Sequence, residues 1–329
     1  MTTPCVRVSV SEGEPTRAAL AERDLLDGDR EIAVEDGDIF LPVVDAAAAR
    51  EAGYEVVNRE TAERDGPTPP AELLGFEPSY ERLGDIVILD EDHPERARRI
   101  ADAIVESDVP CEAVVNRASK VAGEYRVREW DVLYGDGTET VHREYGHEFA
   151  IDIAEVYFSP RLATERHRVT AQVEADERIV DMFAGVGPFA VPMAARGAAV
   201  LACDVNPAAV ASLRENAARN GVADAVTVLE GDVRETTADY NGWADRIVMN
   251  LPHSADGFLD TAVRLAGDDC VIHLYDITHE DDPFGPGERA VRAVAEPAGY
   301  EVEVLTRREV RSYAPHEVNV CLDVRIRRP

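Results

Sequence analysis

Three short segments of this 329-residue chain carry groups that could do chemistry together. In Asp181-Met-Phe-Ala-Gly-Val-Gly-Pro-Phe-Ala190 a carboxylate ends an apolar run, two glycines follow, and a helix-forming stretch comes next. Tyr157-Phe-Ser-Pro-Arg-Leu-Ala-Thr-Glu-Arg166 offers a phenol, two guanidiniums and a carboxylic acid. Asn250-Leu-Pro252 offers an amide and backbone carbonyls. The first segment reads as strand, glycine turn and helix. Glycine lacks a side chain, so its backbone N–H can approach a ligand closely. The set describes a cofactor pocket with a substrate pocket beside it.

In a doubly wound sheet the ligand lies at the carboxyl ends of the strands, near the switch in strand order. Gly185 and Gly187 fall there, and Gly185-x-Gly187-x-x-Ala190 meets the loose dinucleotide pattern. An NAD(P)-dependent oxidoreductase is therefore one reading. Asp181, four residues before Gly185, favours another. A pyrophosphate gains nothing from a carboxylate there, whereas the ammonium of a methionine moiety does. S-adenosyl-L-methionine (SAM) is thus the expected cofactor. Asp204 ends the next strand, 23 residues after Asp181, and could accept both ribose hydroxyls of either cofactor. Asp232 ends a third strand and could take the adenine amine or cap a helix. Phe183, Asn206 and Asn250 complete the expected cofactor contacts.

These residues need elements to position them. Arg178–Met182, 200–203, 226–229, 246–249 and 271–275 read as strands. Asn206 with Pro207 opens a helix that Asn220-Gly221 ends, and 289–298 reads as another. Segments 301–305 and 318–326 close the sheet. Strands alternating with helices predict an α/β fold, a largely parallel, doubly wound, Rossmann-like sheet over residues 156–329. Before it, one helix (94–105, with Ala97, Ile100, Ala101 and Ile104 on one stripe) among several strands predicts a small α+β domain over 79–155. Residues 1–60 read as a further small α+β unit. There Val6, Val8 and Val10 alternate, 16–26 is helix-like, and Glu35-Asp-Gly37 turns a hairpin. Gly66-Pro-Thr-Pro-Pro70 breaks any element, so 61–78 reads as a linker.

Acidic residues number 65 against 34 basic ones, a formal charge of −31. Such an excess opposes a polyanionic partner, because phosphate contacts need positive charge. A setting of molar salt removes the objection: the Debye length there is about 3 Å, and only charges in direct contact count. An acid-rich, lysine-poor surface is what a halophilic protein uses, and Lys120 is the one lysine among 33 arginines. Local basic islands then matter: Arg117, Lys120, Arg126 and Arg128; Arg161, Arg166 and Arg168; and six arginines between 307 and 328. Any one of them could equally be a solvated face. The five cysteines are scattered, and neither they nor the histidines show metal-ligand spacing, so no metal is expected. There is no apolar run of about 18 residues and no signal-peptide pattern, so a cytoplasmic, monomeric protein is expected.

The three segments, in this order, resemble the archaeal and eukaryotic tRNA (guanine-37-N1)-methyltransferases. The Arg117–Arg128 stretch and the opening Cys5-Val-Arg-Val fit as well, so the likeness covers nearly the whole chain. The resemblance implies a SAM-dependent transfer of methyl to N1 of the guanine 3′ of the tRNA anticodon. It implies Glu165 as the base that removes the N1 proton, since that nitrogen is a poor nucleophile while protonated. It implies an arginine from the middle domain against O6, where negative charge develops. Arg126 and Arg128 are both candidates, and spacing favours Arg126. Asn250 and Pro252 would grip the base edge, with His253 where relatives of that loop type carry an aromatic. Tyr157 and Arg161 would shape the substrate pocket, and Lys120 and Arg128 would contact the RNA. The first domain would touch a distant corner of the tRNA. Two alternatives stay open for Glu165: a helix-surface acid paired with Arg161, or one paired with Arg168. A related enzyme that also methylates the wyosine-type tricyclic base made from this guanine is a further alternative.

Overall fold

A computed structural model describes residues 2–63, 68–123 and 125–329. Gly66 and Pro67 of the predicted break, and Glu124 beside Arg126, lie outside the described residues. The chain forms two compact units, one of residues 1–78 with 103–109 and one of 79–102 with 110–329.

The first unit is a four-stranded antiparallel sheet in the order Ala33–Glu35, Asp38–Pro42, Thr2–Ser9, Val56–Glu60. The predicted hairpin is present, with Glu35 opposite Asp38. Asp36 and Gly37 between them both have positive φ (49° and 86°), the backbone of a tight two-residue turn. Val6, Leu20 and Leu41 are fully buried, while Val10 lies past the strand and is exposed. The helix Ala46–Glu51, capped by Asp45, and the helix Pro70–Leu74 inside the expected linker carry too few apolar repeats to be read from sequence.

The second unit holds the candidate site. Its smaller sheet runs Glu81–Leu83, Ile86–Leu89, Ala113–Arg117, Trp130–Tyr134. Ile86–Leu89 and Ala113–Arg117 are parallel, so they need a crossover, and the helix Pro94–Glu106 supplies it. The predicted stripe on that helix is buried.

The larger sheet has seven strands: β1 (Arg178–Asp181), β2 (Ala199–Asp204), β3 (Val226–Glu230), β4 (Ala244–Met249), β5 (Ala266–His279), β6 (Glu301–Ala314) and β7 (Glu317–Arg327). Their order is 3-2-1-4-5-7-6. β1 to β5 are parallel, and β6 and β7 form an antiparallel hairpin at one edge. β6 has 14 residues, far longer than the sequence pattern indicated, because its outer half alternates weakly and is mostly exposed. Helices α1 (Ala163–Thr170), α2 (Ala190–Ala195) and α3 (Pro207–Arg219) cover the sheet near its switch point.

A further hairpin, Glu139–Glu144 with His147–Asp152, leans on α3. Asn216 and Asn220 hold its open backbone: Ala150 N–H donates to Asn216 Oδ1 (2.7 Å) and Glu148 N–H to Asn220 Oδ1 (3.0 Å). One apolar cluster runs from Leu83 through Phe149 and Ile179 to Cys321. The arginine-bearing sheet and the larger sheet therefore share a core.

Candidate active site

The cofactor side is built locally. β1 ends at Asp181, and the chain then turns through Gly185 (φ 52°) and Gly187 (φ 91°) into α2. The φ of Gly187 favours glycine, and a Cβ there would also lie 2.3 Å from Leu213 Cδ1, so that side chain would have to move. Asp204 closes the turn, its Oδ2 accepting from Gly185 N–H (2.7 Å) and its Oδ1 from Asn206 N–H (2.9 Å). Burial raises the Asp204 carboxyl, and those backbone donors oppose the rise.

Asp181 differs in kind. It is 1% exposed, and neither carboxylate oxygen has a well-aligned partner; the N–H groups of Phe183 and Ala190 face it only loosely. Burial pushes its carboxyl up to about 7, and the Asp204 charge adds to the rise. An unpaired buried carboxylate is costly. A cationic group placed there removes the cost, while a pyrophosphate would increase it. The site thus fits the ammonium of SAM and disfavours NAD(P). Phe183, in the turn, packs edge-on against Phe258 at 4.9 Å.

Two expected cofactor residues have other duties. Asn206 caps α3 through Ala208 N–H (3.0 Å) and donates to the Glu155 carbonyl (2.8 Å), so its side chain braces the chain instead of facing a ligand. Asp232 caps the four-residue helix Val233–Thr236 and pairs with the Arg234 guanidinium. Its carboxylate is committed locally, which is the helix-capping reading of that residue.

The substrate side is assembled from distant segments. Arg126, itself at φ 54°, donates to the Pro252 carbonyl at 2.5 Å. That bond joins the arginine segment to the Asn-Leu-Pro loop after β4. Asn250 Oδ1 is buried and unpartnered in the same loop. His253 (φ 70°) stands edge-on to Tyr313 at 5.6 Å. Arg126, Arg128, Tyr157 and Arg161 line one cavity of about 200 Å³, together with Arg117, Trp130 and Arg311. Arg161 pairs with Glu81, which also accepts from Arg117 (2.8 Å). Arg128 lies over the Trp130 ring at 5.5 Å. Tyr157 is 46% exposed. Lys120 is exposed and does not line this cavity.

Glu165 sits on α1, 3% exposed, outside that lining. Its carboxylate accepts from Arg168 (2.8 Å) and from the Tyr275 hydroxyl (3.0 Å), and Arg308 Nε lies 2.9 Å from Oε2. Of the two pairings open from sequence, the one with Arg168 forms and the one with Arg161 does not. Nor is Arg168 part of a solvated island. It bridges Glu165 to Asp323 (2.6 Å), and Asp323 accepts in turn from His273 Nδ1 (2.7 Å). Arg246 donates to His273 Nε2 at 2.8 Å. Arginine has no acceptor, so Nε2 is the bare nitrogen and Nδ1 carries the proton toward Asp323. Burial raises the Asp323 carboxyl, but His273 and Arg168 outweigh it and hold it well below the usual range. His273, Cys321 and Asp323 lie close enough to suggest a metal site, yet their donors are already taken by these guanidiniums.

Arg166 is buried too. It forms a fork with Glu144 (2.5 and 2.8 Å), donates to the Ser159 carbonyl (3.1 Å) and lies over Phe158 at 4.9 Å. It is the strut of the Tyr157–Arg161 segment. Tyr275, Asp323 and Glu144 carried no local signal, and Arg308 only that of the C-terminal basic island. Each is an ordinary strand residue until the sheet brings it to α1 or to the segment before it.

A doubly wound 3-2-1-4-5-7-6 sheet with an acid-flanked glycine turn defines a Rossmann-like methyltransferase. The chain belongs to the TRM5/TYW2 methyltransferase family, whose domain matches residues 140–304. Residues 5–51 match the tRNA methyltransferase 5 N-terminal domain, and 67–138 the TYW2 N-terminal domain. It is 41% identical to the tRNA (guanine(37)-N(1))-methyltransferase Trm5b of Pyrococcus abyssi over 98% of this chain and 99% of that one. The crystal structure of that Trm5b superposes with a TM-score of 0.70 at 40% identity, covering 99% of each chain. The complex of aTrm5 with tRNALeu superposes at 0.72 with 33% identity, over 98% of this chain and 99% of that one.

Proposed function

We propose that the protein transfers methyl from SAM to N1 of guanine 37 in tRNA. The 2.5 Å bond from Arg126 to the Pro252 carbonyl carries this reading. It sets a guanidinium beside the loop that would hold a base edge, on the rim of the arginine-lined cavity. Asp181 would hold the ammonium of SAM, Asp204 the ribose, and the glycine turn the rest; bound there, SAM supplies an electrophilic methyl group. Asn250 Oδ1, now without a donor, would accept from the base edge. Arg126 would stabilise charge developing on O6. Arg128, against the Trp130 face, is less free to reach it.

Glu165 would take the N1 proton. Its carboxylate must first exchange one of its present donors for the base, and Arg308, 44% exposed, is the contact that opens most readily. The target base must leave its stack to reach this site. Relatives named tRNA(Phe) (4-demethylwyosine(37)-C(7)) aminocarboxypropyltransferases, 31% and 33% identical over 76% and 78% of this chain, support a second reading, in which the wyosine-type tricyclic base made from this guanine is also a substrate.

We place the enzyme in the cytoplasm as a monomer; no described helix is long and apolar enough to cross a membrane. We also read its charge of −31 as halophilic. Self-repulsion then unfolds it on dilution to about 50 mM salt, measured by circular dichroism. Methyl transfer from labelled SAM to unmodified tRNA, with guanine or another base at position 37, tests the function. Nucleoside mass spectrometry should find 1-methylguanosine with guanine only. Labelling that ignores the base at 37 would overturn the reading.

A further inference from the structure

The cavity lined by Arg126 and Tyr157 carries five guanidiniums against two carboxylates, Glu81 and Asp90. In a chain with 65 acidic and 34 basic residues this is a local inversion of charge. The two carboxylates are already used: Arg117 binds both, and Arg161 binds Glu81. Arg126, Arg128 and Arg311 remain. Among the described residues, the partly buried arginines with no carboxylate at ion-pair distance are these three and Arg264. Arg264 satisfies itself on the Thr237 carbonyl and the Asn241 side chain. Arg126 has the Pro252 carbonyl. Among the described residues Arg128 has only the Trp130 ring, and Arg311 has no partner, its Nε buried without one. A half-buried, unpaired guanidinium is unfavourable unless an anion completes it. Burial, then the Arg117 charge, lowers the Arg128 pKa, as expected where an anion is missing.

The backbone aims Arg311. Along a strand, residues three apart point to opposite faces. The pairing of β6 with β7 slips between Glu309 and Arg311, a bulge that inserts one residue and resets the alternation. Arg308 and Arg311 are thereby turned to the same side. Val310 packs on the shared core and anchors the bulge. One strand thus delivers Arg308 to Glu165 and Arg311 to the cavity.

We propose that Arg311, with Arg128, clamps a backbone phosphate of the RNA adjoining the target nucleotide. A planar guanidinium fork matches phosphate oxygens bidentately. The exposed Tyr157 ring beside them offers a face to a neighbouring base, so the cavity fits a nucleotide better than a free anion. The inference rests on the tRNA reading above and adds a contact that the local sequence does not reveal.

The test is binding of the full-length protein to tRNA, and to its anticodon stem-loop, across a KCl series. Arg311→Ala should raise Kd roughly tenfold and reduce the slope of log K against log salt by about 1, the signature of one lost phosphate contact. SAM affinity and melting temperature should stay at wild-type values. Arg311→Lys should keep the slope while recovering part of the affinity. Stem-loops with a methylphosphonate 5′ or 3′ of the target locate the contact: on one of them Arg311→Ala should have no further effect. The clamp is overturned if wild type and Arg311→Ala bind with equal Kd and slope. It is equally overturned if the loss is the same on every neutralised RNA. A wild-type protein that binds neither RNA sinks the functional reading itself, which a silent Arg311→Ala would leave standing.

Discussion

The two halves of the site are stabilised in opposite ways. On the cofactor side the geometry comes from backbone: a strand end, two positive-φ glycines and two helix starts within 30 residues. Its key carboxylate, Asp181, is left without a partner. On the substrate side the geometry comes from long side chains tied by ion pairs across large sequence separations, such as Arg161 with Glu81 and Arg166 with Glu144. There the unpaired charged groups are cations. Each half thus lacks the charge that its ligand would bring, an ammonium on one side and a phosphate on the other. A site finished by its ligands can be recognised by what it leaves unpaired.

The largest effect that separates the halves should come from Glu165→Gln. With its general base gone, kcat should fall by roughly 10²–10⁴, while SAM affinity stays near the wild-type value. Single-turnover methyl transfer with equilibrium SAM binding measures both. Unchanged turnover would remove Glu165 from that role and leave it a bracing acid on α1.

Next in size is Glu144→Gln. It strips the charge partner from Arg166 at a site where both side chains are almost fully buried, so stability should drop by about 3–5 kcal/mol. Denaturant unfolding at unchanged m reads this loss. Hydrogen exchange should show residues 157–161 opening before the glycine turn. Uniform loosening of both regions would contradict the division drawn here.

The smallest effect tests the cofactor side by pH. The Asp181 carboxyl is raised from 3.8 to about 7 by burial, so below about pH 7 the folded, SAM-free protein favours its protonated form. The stability that this proton contributes is full below about pH 4 and is lost as pH climbs through about 7. Pairing with an ammonium needs the ionised form instead. SAM affinity should therefore rise by up to about tenfold per unit between roughly pH 5.5 and 7, with release of a proton on binding. Calorimetry in two buffers of different ionisation enthalpy detects that proton. Asp181→Asn should bind more weakly at pH 7.5 and lose the pH dependence. Binding without proton release at pH 6.5 would remove the ammonium from Asp181.

Much of the architecture was legible because it is local. Asp181, Gly185, Gly187 and Asp204 follow from where an apolar run ends and a turn must begin, and α3 announces itself with Asn206 and Pro207. The same locality singles out Asn206 and Asp232, and in the structure their side chains cap helices. Basic islands misled. Arg166 and Arg168 are close in sequence to Arg161, yet α1 turns them into the interior, where Glu144 and Asp323 receive them. No pattern of period 2 or 3.6 identifies an acid 22 or 155 positions away.

By itself the sequence determined a glycine-turn sheet whose first strand ends in an acid, and a chain too acidic to bind a polyanion except through a few concentrated arginines. Those are properties of neighbouring residues and of composition, and neither depends on distant contacts. The tertiary structure alone decided which arginines are free. Arg126 meets a carbonyl 126 residues away, Arg168 is consumed by the interior, and a one-residue bulge in β6 aims Arg311. Guanidiniums of identical type are sorted into struts and ligand sites only when packing sets which carboxylates lie within reach.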